Sequence, residues 1–229
     1  MVEAAGLVGL MWTSGGTVVV DVAAQGVFQG TYTASQIQAL GGIPLTTTAP
    51  ASTALGPYWW SFDGVDDSMA LSGPLFQPSD DWCVIAGANS NSASGYPMIF
   101  SHSDAAGISK ANLFFNQGKP CVEVAGTGGT VGPMYGSVRI NETLIISGRK
   151  AALILTGRLN GVSFGTASTS ALTLLPVTSA AIGCLPITAP GLFWQGAIYP
   201  IIAVKGTVTD ADLLTFERLV GNLSGVSIP

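Results

Sequence analysis

The chain has 229 residues, a length that one all-β sandwich can occupy as a single domain and that buries a core without needing a metal or disulfide frame. Only 9% of residues are charged, against about 25% in an average soluble domain, while 48% are apolar, and this argues against disorder. The net charge of −5, with eight Lys and Arg and one adjacent basic pair (Arg149-Lys150), argues against a nucleic-acid partner, and with no basic segment flanking an apolar helix nothing points to membrane insertion.

The opening Met-Val-Glu-Ala-Ala-Gly places Glu3 where a basic n-region would stand, so no secretory signal is expected. Thr17–Val22 reads as a strand. Ala34–Leu40 fits one helical turn, and 38–57 reads as a long loop of Gly, Pro, Thr and Ala. Short β-type runs follow at Trp59–Phe62, Ser68–Leu71, Trp82–Ala88, Met98–Ser101, Asn112–Asn116, Cys121–Ala125, Thr143–Ser147, Ala152–Thr156, Leu172–Leu174, Ala180–Gly183 and Gly196–Val204. Residues 159–204 carry no charge, but Gly, Pro, Ser and Thr interrupt them, so they read as strands and not as a membrane helix. Many short strands without a fixed repeat point to a sandwich or jelly roll.

The last element is helical. Thr209 is the expected N-cap, with Asp212 three residues on, and Leu213, Phe216, Leu219 and Val220 share a stripe. Gly221 is the expected C′ residue. Two regions look apolar on both faces: Ile198–Val204, and Thr143–Ser147 with Ala151–Leu155. A half-solvated antiparallel strand should alternate, so something must cover the second face. The terminal helix, the N-terminal segment or a neighbouring subunit would do so. Pro200 cannot donate to a ladder and marks an edge or a bulge.

Cys83, Cys121 and Cys184 are too few and too scattered for a disulfide framework; buried thiols are expected, with a Cys83–Cys121 bridge as the alternative. One histidine and no CxxC leave no zinc site. Among the aromatics, Tyr58, Trp60 and Phe62 share one strand face and Trp59 points the other way. Trp59 and Tyr135 are therefore the candidate glycan-contacting residues, with cover by a loop or neighbour as the structural alternative for Trp59. Asp63, Asp66 and Asp67 put three carboxylates in five residues, which resembles half of a calcium shell or else a solvated turn. Glu123 is an isolated strand carboxylate, the nearest thing to a glycosidase acid but without the required second one. Ser101-His102-Ser103-Asp104 offers triad residue types by adjacency only, which does not build a triad.

Phe62-Asp63-Gly64-Val65-Asp66-Asp67-Ser68-Met69 resembles a segment of the laminin G-like, concanavalin A-like family. Gly6–Trp12 resembles that family's first strand, and Gly15–Asp21, Gly26 and Gly30-Thr31-Tyr32 resemble its continuation. Trp194-Gln195-Gly196-Ala197-Ile198 and Val208–Leu213 resemble its last strand entry and closing helix. The resemblance implies an all-β antiparallel sandwich, a jelly roll with a short C-terminal helix, in one domain over 1–229: first strands and long loop in 1–57, main sandwich in 58–229. Tyr199-Pro200 and Val22-Ala23-Ala24 stand where the family often has oxygen ligands, a departure from its calcium site.

Such folds host lectins, adhesion modules, glycosidase accessory domains and phage tail and capsid domains. With the low charge and two-faced strands, the resemblance implies a non-enzymatic structural or adhesive protein. That is a bacteriophage capsid decoration or tail component at the virion surface, assembled with copies of itself or other virion proteins, and binding surface glycans. The alternative is a free, secreted carbohydrate-binding lectin domain; a glycosidase is disfavoured.

Overall fold

A computed structural model describes residues 59–229 in full and the backbone strands 7–13, 17–23 and 31–32. The expected helical turn at 34–40, the loop at 38–57 and Tyr58 lie outside the described residues. Two sheets face each other. The strands in chain order are β1 (Leu7–Thr13), β2 (Thr17–Ala23), β3 (Thr31–Tyr32), β4 (Trp60–Asp63), β5 (Met69–Ala70), β6 (Trp82–Ser90), β7 (Met98–Ser103), β8 (Lys110–Asn116), β9 (Lys119–Gly126), β10 (Gly129–Val131), β11 (Leu144–Ala151), β12 (Ile154–Leu159), β13 (Val162–Ser168), β14 (Ser179–Ile182) and β15 (Gln195–Lys205). One helix, α1 (Asp210–Ser224), follows.

The nine-stranded sheet runs β13-β12-β11-β6-β15-β1-β2-β3, with β4 also paired to β15; the six-stranded sheet runs β10-β9-β8-β7-β14-β5. All pairings are antiparallel except β1 with β15, which is parallel. The N-terminal strands thus extend the large sheet. Among the described residues no helix is long and apolar enough to cross a membrane.

The core between the sheets holds Val84, Ala86 and Ala88 of β6, Leu144 and Ile146 of β11, and Ile198, Ile201 and Ala203 of β15, facing Leu113, Phe115, Val122 and Val124. The alternate residues of the same strands, Cys83, Ile85, Ile145, Ile202 and Val204, face outward and are covered by Leu213 and Val220 of α1. This explains why those strands do not alternate in sequence. Their second face is closed by the helix and is internal to the chain, whereas in the Ala151–Leu155 stretch, also expected to be covered, Leu153 and Ile154 are exposed.

Helix α1 starts where expected: Thr209 is extended (φ −72°, ψ 163°) and its Oγ1 accepts the Asp212 N–H at 3.2 Å. It does not stop at Gly221. It runs one turn further to Gly225, which adopts the left-handed conformation (φ 75°) and closes a Schellman motif through the N–H of Val226 on Gly221 O. Gly221 is required for another reason: a Cβ there would lie 2.6 Å from Val226 O and 2.9 Å from Ile228 Cγ1, so the returning tail excludes a side chain. Glu217 lies on the buried face, 1% exposed, with Oε1 2.8 Å from Arg158 Nε, Oε2 3.0 Å from Arg158 Nη2, and the Ser147 hydroxyl donating to Oε1. This bidentate pair fastens the helix to β11 and β12, and removing one partner of such a pair typically costs about 3–5 kcal/mol.

Two strands escape the sequence pattern. β13 pairs with β12 through an Asn160-Gly161 turn with positive φ at both residues (48° and 83°). β10 continues the six-stranded sheet at its edge. Leu172–Leu174 is not a strand; Thr173 makes only an isolated bridge to Thr127. Cys83, Cys121 and Cys184 are all free and buried, which corrects the alternative of a Cys83–Cys121 bridge. Cys83 lies under α1, whereas Cys121 packs with Met98 and Phe114 on the outer face of the other sheet. Burial pushes the Cys121 thiol up to about 12, so it stays protonated.

His102 is fully buried, its ring 4.1 Å from Phe76 and 5.0 Å from Phe100, and its Nε2 accepts the Leu75 N–H at 3.3 Å. Loss of hydration holds its pKa down at about 3, below the ordinary 6.5. The unfolded chain takes up a proton near pH 6.5 and the folded chain does not. The fold is therefore at full stability above that pH and loses it as pH falls towards 3, by on the order of 5 kcal/mol across the window. Urea unfolding at stepped pH is expected to show this loss in the native protein. His102→Gln, which keeps an acceptor but cannot titrate, is expected to lack that component; equal acid sensitivity in both proteins would rule it out.

Candidate functional site

β4 sets the position of Trp59. Its Trp60 stands opposite Ile198 and its Phe62 opposite Gly196; Phe62 is in the core and Trp60 half-buried. Trp59, just before the strand, turns the other way and is 53% exposed. Its ring centroid lies 5.9 Å from that of Tyr199, with the planes tilted by 46°.

Tyr199 faces out because of an irregularity. The β15–β6 register shifts between Ile198 and Ile201, where Pro200 has no N–H to offer. The shift lets Ile198 and Ile201 both point into the core, with Tyr199 on the helix side. Room for it comes from Gly87 on β6: a Cβ there would lie 2.7 Å from Tyr199 Cβ and 2.3 Å from Ser224 Oγ at the end of α1.

Around this ring is a polar cluster. Tyr199 OH and Thr143 Oγ1 are 3.2 Å apart, and Asn89 Nδ2 reaches Thr143 Oγ1 at 3.5 Å, the outer limit of a hydrogen bond. Asn89 Oδ1 and Ser224 Oγ are buried and have no hydrogen-bond partner. An exposed indole thus stands on a tyrosine whose hydroxyl belongs to a neutral polar cluster, a combination that suits an amphipathic, hydroxyl-bearing ligand.

Tyr135 stands in a different neighbourhood. Its ring meets Phe164 edge-on at 5.9 Å, and the Arg139 guanidinium lies 5.6 Å over it. Arg139 in turn forks onto Glu142, which raises the guanidinium pKa further. Trp59 packs with Tyr199, so the two sequence-predicted aromatics are not brought together.

Asp63, Asp66 and Asp67 are brought together, with one oxygen of each within 4.8 Å of the others, all exposed. Asp63 Oδ1 accepts the Val65 N–H at 2.7 Å, and Asp67 Oδ2 accepts the Asp63 N–H at 3.0 Å. The remaining oxygens fit one side of a calcium shell, whose six to eight ligands lie at about 2.3–2.6 Å from the ion.

Glu123 lies on the outer face of the six-stranded sheet in a row with Ser101 and Asn112. Asn112 Nδ2 donates to Glu123 Oε1 at 3.1 Å, and Lys110 Nζ is 3.6 Å away. The Ser–His–Asp types near His102 do not converge: Ser103 donates to Asp104 O, and Asp104 Oδ1 accepts the Ile108 N–H. The site residues missed in sequence are Tyr199, Asn89 and Thr143, which only strand pairing brings together; Pro200 was the one local sign of it.

No family model matches the chain, and no curated protein matches it in sequence. Solved structures do match. Domain 4 of AbnA, an extracellular GH43 arabinanase of Geobacillus stearothermophilus in complex with arabinotriose, superposes with a TM-score of 0.56 at 13% identity, over 72% of this chain and 76% of that one. The fold is a jelly-roll β-sandwich. The CBM40 of the Ruminococcus gnavus IT-sialidase bound to α2,3-sialyllactose gives 0.52 at 12% identity, over 68% and 97%. Mouse laminin α1 domains LG4-5 give 0.51 at 12%, over 74% and 48%. At these identities the likeness shows the jelly-roll sandwich and nothing finer.

Calcium tests the acidic turn. Sites of extracellular modules have Kd values of about 10⁻⁴–10⁻³ M, so roughly 10 mM calcium should stabilise the fold by about 1.4–2.7 kcal/mol. Asp66→Asn, which removes the carboxylate not engaged by backbone N–H groups, is expected to abolish the gain. An unchanged melting midpoint in calcium would remove the metal assignment.

Proposed function

We propose that this chain is a carbohydrate-binding module without catalytic activity, holding a sugar ring against Trp59. The observation that carries this is an indole 53% exposed, backed by Tyr199, whose hydroxyl pairs with Thr143. Aromatic faces take up the C–H side of a sugar while amides and hydroxyls answer its O–H groups. The neighbours in fold add support: one is in complex with arabinotriose and another is bound to sialyllactose. The non-catalytic assignment draws on Glu123, whose mates are Asn112 and Lys110, where acid–base hydrolysis calls for a second carboxylate. Screening on a glycan array, followed by calorimetry on a hit, is expected to give binding that Trp59→Ala weakens at least about tenfold, some 1.4 kcal/mol. Full affinity in that variant would defeat the assignment of the site.

A second reading makes the chain a virion component, a phage capsid decoration or tail subunit that also meets surface glycans, located at the particle surface. Its support is the 9% charge and the family resemblance; of the two-faced stretches, α1 covers the outer face of β6, β11 and β15, while Leu153 and Ile154 stay exposed. Light scattering behind a sizing column separates the two: a monomer or dimer is expected of a free, secreted module, whereas a fixed trimer or larger ring would favour the particle subunit.

A further inference from the structure

The charges of the chain constrain what the Trp59 site can hold. All eight Lys and Arg residues fall between Lys110 and Arg218, so every one is among the described residues. Five sit in ion pairs: Lys110 with Glu123, Arg139 with Glu142, Arg149 with Asp210 at 2.6 Å, Arg158 with Glu217 at 2.8 Å, and Lys205 with Asp80 at 2.9 Å. Lys150 Nζ is committed to the carbonyls of Ser79 and Asp80, at 3.1 and 3.0 Å. Lys119, which pairs with Asn116 at the β8–β9 turn, and Arg218, on the exposed side of α1, remain. Neither makes a hydrogen bond or ion pair with the residues around Trp59. The only histidine is buried and neutral.

Sugar acids (sialic and uronic acids, and sulfated sugars) present an anion that binding proteins meet with Arg or Lys, whose charge-assisted bonds are about twice as strong as neutral ones. Among the described residues no Lys or Arg makes a hydrogen bond or ion pair with Trp59, Tyr199, Thr143 or Asn89. The groups linked to Trp59 are neutral: the Tyr199 ring packs on it, the Tyr199 hydroxyl pairs with Thr143, and the Asn89 amide reaches the same Thr143 oxygen. A sugar hydroxyl, donor and acceptor at once, suits neutral surroundings of this kind and needs no charged partner. Asp63 and its carboxylate neighbours lie about 13 Å along the same strand and add a field that opposes an anion.

We infer that the Trp59 site selects neutral glycans and discriminates against acidic ones. This rests on the site binding carbohydrate at all. The test is an array of neutral oligosaccharides, each paired with the same oligosaccharide bearing a terminal sialic acid, uronic acid or sulfate. It is read with native protein and Trp59→Ala, in calcium and in EDTA, at low and high salt. The expected result is binding to neutral members that is lost in Trp59→Ala, that falls at least about tenfold on acidic capping of the bound residue, and that varies little with salt. Preference for acidic members with Trp59 still required would overturn the neutral-class inference and leave the carbohydrate site standing. Neutral binding unaffected by Trp59→Ala would place the sugar elsewhere and overturn the inference for this site. Binding to no member of either kind would defeat the carbohydrate reading itself, and this inference with it.

Discussion

The central strands β6, β11 and β15 of the large sheet have apolar side chains on both faces, and the rest of the molecule follows from covering them. One face is closed by the six-stranded sheet and the other by α1. The helix is amphipathic only in part. Its buried face carries a carboxylate, Glu217, and burial of that charge is acceptable because Arg158 grips it bidentately and Ser147 adds a third bond. The pair fixes the helix in position along β11 and β12 more specifically than apolar contact with Leu213 and Val220 could.

The same economy accounts for the composition. With only 9% of residues charged, the chain spends its cations on fastening: Arg149 ties to Asp210 in the first turn of α1, Lys205 and Lys150 tie to the turn before β6, and Arg139 to Glu142 beside Tyr135. Low charge in the sequence suits a subunit packed among neighbours. The structure accounts for it within one chain, because the surface is left to hydroxyls, amides and backbone while ionic groups serve as internal ties.

The strands of the core were legible because β-branched runs between Gly, Pro and Asn signal them, and the helix start because Thr209 and Asp212 form a cap of recognisable spacing. The helix end was misread: two glycines lie four residues apart, and only backbone conformation separates the one that stops the helix, Gly225, from the one that admits the tail, Gly221. β13 was missed because Ser, Gly, Thr and Ala carry little strand signal, although Asn160-Gly161 before it is a strong hairpin turn. Of the candidate site, Trp59 was legible from alternation against Phe62. Its partners Tyr199, Asn89 and Thr143 were not, since they are separated by tens of residues and meet only through the register of β4, β15 and β6.

The location of that site depends on where the helix ends. α1 runs along the outer face of β6, from Val208 and Leu213, clustered with Cys83, to Ser224, which lies against Gly87. Asn89 is the next residue of β6 on the same face, about 6.7 Å further on, and one more turn of helix would advance about 5.4 Å. A helix continuing past Ser224 would therefore lie over Asn89. Gly225 prevents this by taking the left-handed conformation at that point, and the tail turns back across Gly221 towards Ile145. The cap that completes the hydrogen bonding of the helix thus also sets where its cover over β6 ends. Fold closure and the edge of the candidate site meet at a single glycine.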